Sequence, residues 1–274
     1  CMSKLFKAFK SSPKYSIKWS NYFEIYENIL QKFINKKITL VEIGVGDGGS
    51  LFMWKKFLGK RAKIIGVELN PEAKKLEKFG FKIFIGDQSD VNFWKKFYKK
   101  VGKIDILIDD GGHTNLQQIT SFMESIDHIN KDGVIIVEDT HTSYMNYKGF
   151  KNPSKNSFIN FSSNLIENIH RRNPMLKKKL NLISQKIHSI EFFDSIVLIN
   201  IKKDKANYSR NFQNNKKLET FFTDFRFKRV ELADFKQNKN RFTKFIQSKI
   251  SKKGFLQKIY DNYLINKYKK KLNN

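Results

Sequence analysis

The chain has 274 residues, 40% of them hydrophobic and 29% charged, with a formal net charge of +27. That length can bury one good core with some peripheral structure. Its apolar runs are far too short to span a bilayer, and its single cysteine, Cys1, excludes internal disulfides and a cysteine-built zinc site. Nearly all the positive charge is lysine, while arginine, the residue of base readout and bidentate phosphate recognition, is scarce. The charge therefore reads first as a solvated lysine coat and only second as the mark of an anionic partner. The Lys-rich N-terminus has no apolar h-region or cleavage site, so a cytoplasmic protein is expected.

Residues 1–18 are basic and read as loosely ordered. From Trp19 to Phe33, apolar residues at Tyr22, Phe23, Tyr26, Ile29, Leu30 and Phe33 form a helical stripe that should pack on the main domain. The stretch around which the chain is organised follows, Leu40-Val-Glu-Ile-Gly-Val-Gly-Asp-Gly-Gly-Ser50. Ile38 to Ile43 reads as a buried strand and Leu51 to Leu58 as a helix, joined by a glycine turn. Such a turn lets the backbone approach a ligand at the helix N-terminus. Gly44, Gly46 and Gly49 fit the dinucleotide pattern G-x-G-x-x-G. Gly44, Gly46 and Gly48, with Glu42 two residues ahead, resemble the acidic-x-G-x-G-x-G of class I S-adenosylmethionine methyltransferases. Glu42 favours the second pattern, because a carboxylate inside a buried strand is costly without a partner. That resemblance implies that Glu42 lies near the methionine end of the cofactor, with Gly44, Gly46, Gly48 and Ser50 in the cradle.

Ala62 to Glu68 is a second strand, and Asn70-Pro71 opens the next helix, with Asn70 as its cap. Glu68 ends its strand facing the glycine loop, where doubly wound folds place a carboxylate for ribose hydroxyls. Phe81 to Ile85 is a third strand. After it, Asp87 and Gln88 are candidates for the adenine, while Ser89 or Asp90 is suited to cap a helix from Val91 to Lys100. Ile104 to Asp109 is a fourth strand, a helix runs from Asn115 to Ile129, and Gly133 to Glu138 is a fifth strand. Ile119, Phe122, Met123, Ile126 and Ile129 should be buried along that helix. A loop and a helix near Ser157 to His170 should cover the site. His188 to Ile201 reads as two strands around a turn near Asp194. The expected fold is α/β, a doubly wound, mainly parallel, seven-stranded sheet of the Rossmann-like class I methyltransferase kind. Its parts would be a helical N-terminal segment (1–36), a cofactor-binding domain (37–203) and a basic helical C-terminal extension (204–274).

Asp109, Asp110, Glu138 and Asp139 gather at the ends of strands four and five. Carboxylates converging on one crevice repel unless a cation or proton intervenes. Oxygen donors without cysteine suit Mg2+ or another hard divalent cation. His113 follows Asp110 by three residues and is suited to act as a general base; His141 is a second candidate.

The paired segments Asp109-Asp-Gly-Gly-His113 and Glu138-Asp-Thr-His-Thr-Ser-Tyr144 resemble the macrocin O-methyltransferase family of metal-dependent sugar O-methyltransferases. The resemblance covers roughly residues 38–201 and includes Gly86 to Asp90 and Phe193 to Val197. It implies that Asp110, Glu138 and Asp139 hold Mg2+ and that His113 is the base. Glu68, Asp87, Gln88 and Asp109 would serve the S-adenosylmethionine, and His141 and Tyr144 the acceptor. The expected acceptor is a sugar, nucleotide sugar or glycan, in bacterial surface polysaccharide or other glycoside synthesis. Nucleic acid is not expected; peripheral contact with an anionic membrane and a homo-oligomer remain open. An RNA methyltransferase is the alternative suggested by charge, but no Asn/Asp-Pro-Pro-aromatic motif follows strand four. A non-catalytic binding module is opposed by the intact carboxylate and histidine set, and a nicotinamide oxidoreductase by Glu42.

Overall fold

The structure is a computed structural model that describes residues 3–146, 155–170, 183 and 185–202, with 223–224, 230–231 and four positions from 262 to 268. The chain divides into two compact units, Cys1–Arg210 and Asn211–Asn274. The first takes in both the N-terminal segment and the cofactor domain. In the second, Thr223–Asp224 pairs antiparallel with Val230–Glu231. The rest of the expected C-terminal helical extension, apart from those four helical positions, lies outside the described residues.

The first unit is built on β1 (Thr39–Ile43), β2 (Lys63–Glu68), β3 (Lys82–Ile85), β4 (Ile104–Asp109), β5 (Ile129–Val137), β6 (Ile187–Phe193) and β7 (Ile196–Ile201). They form one seven-stranded sheet in the order β3-β2-β1-β4-β5-β7-β6. β1 to β5 run parallel, and β7 pairs antiparallel with both β5 and β6. Helices α1 (Lys4–Lys10), α2 (Tyr22–Leu30), α3 (Gly49–Leu58), α4 (Val91–Val101), α5 (Asn115–Ser125) and α6 (Phe158–His170) surround it. A parallel sheet buried on both faces needs apolar residues at nearly every strand position. β1 alternates accordingly. Leu40 joins the core that includes Trp54 of α3, and Val41 and Ile43 join the opposite core, with Trp94, Phe97 and Phe122. The two-residue period of a strand puts Glu42 on the same face as Leu40, toward α3.

Several boundaries differ from expectation. Residues 3–18 are not loose. Ser3 caps α1 by accepting from the Phe6 amide, Leu5 and Ala8 are buried, and Phe6 and Phe9 pack edge-on against Phe23. Its lysines masked an apolar stripe at helical spacing. The segment opened by Asn70-Pro71 is a 3-10 helix, Pro71–Phe79, with Asn70 accepting from the Glu72 amide. α5 ends at Ser125, Met123 is exposed, and Ile129 begins β5 rather than ending a helix. Asp90, not Ser89, caps α4.

Gly44 ties the end of β1 to its neighbours. Its φ is +80°, and a Cβ there would lie 2.0 Å from the Asp110 carbonyl oxygen. Gly44→Ala therefore combines left-handed strain with overpacking against backbone, and is expected to cost ~3 kcal/mol or more. Urea denaturation of wild type and variant checks this; an unchanged midpoint would mean that the loop re-forms freely.

Candidate active site

The candidate residues lie at the carboxyl ends of β1 to β5, the position at which parallel doubly wound sheets bind ligands. A cleft of ≈ 360 Å3 runs along these ends, lined by Gly44, Gly46, Glu68, Asp87, Asp110 and Gly111 among others. Glu68 is partly exposed there, accepting from the amides of Gly46 (3.1 Å), Leu69 (2.8 Å) and Asn70 (3.0 Å). Asp87 lines the same cleft and folds back to accept from the amide and hydroxyl of Ser89.

Four expected cofactor residues turn out to be engaged inside the protein. Glu42 is wholly buried; it accepts from Ser50 Oγ at 2.7 Å and Trp54 Nε1 at 3.0 Å. Ser50 and Trp54 are one helical turn apart on α3, which is why both reach it. Burial pushes the Glu42 carboxyl up to about 7, with Lys18 and these two donors acting against the rise. Asp109 is buried too, its two oxygens accepting from Gln88 Nε2 at 2.9 and 3.1 Å while that nitrogen also donates to Ser121 Oγ at 3.0 Å, and its carboxyl is raised by burial. The Gln88 oxygen in turn accepts from the Gly112 amide at 2.9 Å. The side chains of Glu42, Ser50, Gln88 and Asp109 thus shape the cleft from behind, with Gln88 also forming part of its lining. Of the cradle glycines, Gly44 and Gly46 line the cleft, while Gly48, at φ +91°, turns the chain into α3.

Beyond the cleft, the β4 and β5 ends bring three side chains together. One donor atom each from Asp110, His113 and Asp139 lies within 4.8 Å of the others. His113 Nε2 is 3.6 Å from Asp139 Oδ2 and 3.8 Å from Asp110 Oδ1. All three are partly buried. The two carboxylates are oxygen donors that fit a hard divalent cation, with the imidazole beside them. His113 and Asp139 both have positive φ, +56° and +52°. Non-glycine residues in that region concentrate at functional sites. The Nδ1 atoms of His113 and His141 are buried without a protein partner.

Glu138, expected beside them, faces the other way. It is buried, accepts from Lys18 Nζ at 2.6 Å and from the Tyr26 hydroxyl, and does not belong to the outer group. Lys18 also donates to Asp110 Oδ2 at 2.5 Å and lies 4.0 Å from Glu42 Oε1. Burial works against the Lys18 charge, but Glu138, Asp110 and Glu42 outweigh it and hold the ammonium above its ordinary value. Burial likewise raises the Glu138 carboxyl, against the pull of Lys18. The Tyr22 hydroxyl donates to Asp139 Oδ1 at 2.6 Å and accepts from the Asp139 amide at 3.2 Å. Burial first, then the carboxylates, raises both tyrosines, so they remain donors at neutral pH.

Lys18, Tyr22 and Tyr26 are site residues that sequence reasoning missed. Tyr22 and Tyr26, spaced i, i+4, were legible as a stripe but not as hydroxyls aimed at carboxylates. Lys18 had no signal among so many lysines. On the outside, Trp19 is 60% exposed with its ring edge-on to His141 at 6.3 Å, and Tyr144 is 65% exposed. His141 and Tyr144 belong to the 3-10 turn Thr140–Tyr144 that follows Asp139.

The strand order and the antiparallel β7 define the class I S-adenosylmethionine methyltransferase fold. Over about half its length the chain is similar to macrocin-type sugar O-methyltransferases. It is 32% identical over 165 residues to 8-demethyl-8-alpha-L-rhamnosyl tetracenomycin-C 2'-O-methyltransferase of Streptomyces olivaceus, covering 57% of this chain and 43% of that protein. It is 32% identical over 126 residues to mycinamicin VI 2''-O-methyltransferase of Micromonospora griseorubida, covering 43% and 31%. It is 31% identical over 153 residues to demethylmacrocin O-methyltransferase of Streptomyces fradiae, covering 53% and 38%. The matched stretch thus spans less than half of each of these relatives. Among solved structures it is similar to the MycE methyltransferase of the mycinamycin biosynthetic pathway in complex with Mg, SAH and mycinamycin VI. The TM-score is 0.64 at 25% identity, covering 75% of this chain and 54% of that one. No family model matches the chain. Among the described residues, no helix is long and apolar enough to cross a membrane.

Proposed function

We propose that the protein transfers a methyl group from S-adenosylmethionine to a sugar hydroxyl, with a divalent cation and His113 at the reacting oxygen. The observation that carries this reading is the meeting of Asp110, His113 and Asp139 at the mouth of the glycine-lined cleft. Asp110 belongs to both, so a donor in the cleft and an acceptor at the outer group would lie on either side of one residue. When bound, S-adenosylmethionine supplies the methyl group and Mg2+ acidifies the acceptor hydroxyl. Glu68 holds the ribose end of the cleft, and Asp87 borders the adenine end. Asp110 and Asp139 fix the outer end; His113 Nε2 faces the same space and takes the hydroxyl proton. Trp19, His141 and Tyr144 offer ring surfaces against which a sugar can lie. Alignment of the two reactants is the main contribution of the fold.

The relatives' names support small glycosides, among them a rhamnosyl tetracenomycin and mycinamicin VI. The surface-polysaccharide acceptor expected from sequence has no counterpart among those relatives, and a natural-product glycoside is the better-supported acceptor. A cytoplasmic biosynthetic enzyme suits this reading. A labelled-methyl assay over rhamnosyl and other deoxysugar glycosides tests it, and no transfer to any glycoside would overturn the sugar acceptor.

Glu68→Ala should weaken S-adenosylhomocysteine binding by ~1–3 kcal/mol, the scale of a charge-assisted hydrogen bond. Calorimetry reads this directly, and equal affinity would remove Glu68 from the cofactor site.

A further inference from the structure

Four carboxylates lie within a short reach at these strand ends, yet they divide into two groups. Asp139 faces outward, toward His113. Glu42 and Glu138 face inward, around the ammonium of Lys18, whose side chain is only 2% exposed. Asp110 serves both, giving Oδ2 to Lys18 and facing His113 with Oδ1. Lys18 arrives from outside the sheet, on a segment that straps the glycine loop. Ser12 Oγ donates to the Gly49 carbonyl at 2.9 Å, the Gly49 amide donates to the Tyr15 carbonyl at 3.1 Å, and the Tyr15 amide donates to Asp47 at 3.3 Å. These bonds, with Tyr22 and Tyr26 just beyond, fix where the lysine can reach.

We propose that Lys18 is a built-in cation that fills the inner half of the carboxylate cluster, confining a divalent cation to the Asp110–Asp139 side and setting how tightly that cation is held. This deepens the reading given above and rests on it for the presence of a metal. A +1 charge sharing Asp110 with a +2 ion repels it strongly at such range, and the Glu138 oxygen that bonds both Lys18 and Tyr26 is already engaged. Lys18 is in this sense a positioning residue. A lysine that only braced the fold would, on removal, loosen the site and weaken metal binding or leave it unaltered. A competing cation, on removal, makes binding tighter, and the two roles predict opposite signs.

Mn2+ is the probe, titrated by electron paramagnetic resonance into wild type, Lys18→Met, Lys18→Arg, Glu138→Gln and the double variant Lys18→Met/Glu138→Gln. Lys18→Met is expected to bind Mn2+ about tenfold tighter or more, and Lys18→Arg, which keeps the charge, to stay near wild type. Glu138→Gln should cost little while Lys18 is present and more once it is gone, though less than the tenfold gained by removing Lys18, because only then can Glu138 serve as a ligand. If Lys18→Met does not fold, leaving inner carboxylates unpaired, the comparison of the double variant with Glu138→Gln decides. One charge of each sign is then removed, and tighter binding in the double variant is again expected. Equal or weaker Mn2+ binding without Lys18, in protein that keeps its circular dichroism, overturns the proposal. S-adenosylhomocysteine calorimetry run alongside separates the two failures. Absent cofactor binding sinks the methyltransferase reading, whereas intact cofactor binding with Mn2+ affinity indifferent to Lys18 sinks this inference alone.

Discussion

Replacing His113 with alanine is expected to slow methyl transfer by ~10²–10⁴-fold, the usual contribution of a general base, while S-adenosylhomocysteine and Mn2+ binding survive. Nε2 lies 3.6 Å from Asp139 and 3.8 Å from Asp110, beyond hydrogen-bond range, so neither carboxylate depends on the imidazole for its place. Nor does His113 line the cofactor cleft. Its backbone needs separate control, because φ is +56° and alanine is poorly suited to that region. The Thr142 hydroxyl also anchors there, donating to the His113 carbonyl at 2.9 Å. His113→Asn tolerates the left-handed conformation but cannot accept the proton, so it should be as slow as the alanine variant. Unimpaired turnover in either variant would sink the base. Loss of Mn2+ binding in both would make the imidazole a ligand instead.

The sheet was legible because its strands are buried on both faces and carry near-continuous apolar runs, such as Ile104 to Ile108 and Val134 to Val137. The hairpin turn at Asp194–Ser195 was legible from the same contrast of apolar strands and polar turn. Element ends were less so. Nothing local distinguishes Ile126, just past the last turn of α5, from Ile129, which begins β5, since both are buried. At the site, the carboxylates and His113 were readable from spacing, because consecutive parallel strands must deliver their ends to one edge. Which way each side chain turns was not readable. Glu138 and Asp139 are adjacent, yet Glu138 is buried against Lys18 and Tyr26 while Asp139, at positive φ, faces His113. Glu42 was suspected of needing a partner, and Ser50, Trp54 and Lys18 lie against its carboxylate. The N-terminal segment was the hardest to read. Its contribution to the site consists of long-range contacts, 92 and 120 residues away in sequence for Lys18, and no local pattern encodes them.

Asp139→Asn is expected to lose metal-dependent activity by weakening Mn2+ binding about 100-fold or more, with the fold and cofactor binding kept. Asparagine preserves the size of the side chain and its tolerance of the left-handed backbone, so the change is one of charge. The Asp139 carboxylate is oriented by Tyr22, which takes Oδ1 at 2.6 Å and leaves Oδ2 facing His113 and Asp110. Losing an outer partner of a metal ligand typically costs about 10–100-fold in affinity. Tyr22→Phe should fall in that range, and loss of the ligand itself at or above its upper end. The order of the two effects is the sharper test, since a general loosening of the β5 end would make them alike. Mn2+ titration by electron paramagnetic resonance measures both, with urea denaturation to confirm that each variant is folded. Wild-type Mn2+ affinity in Asp139→Asn would remove Asp139 from the metal site. A larger loss in Tyr22→Phe than in Asp139→Asn would mean that the tyrosine acts on the metal through something other than this carboxylate.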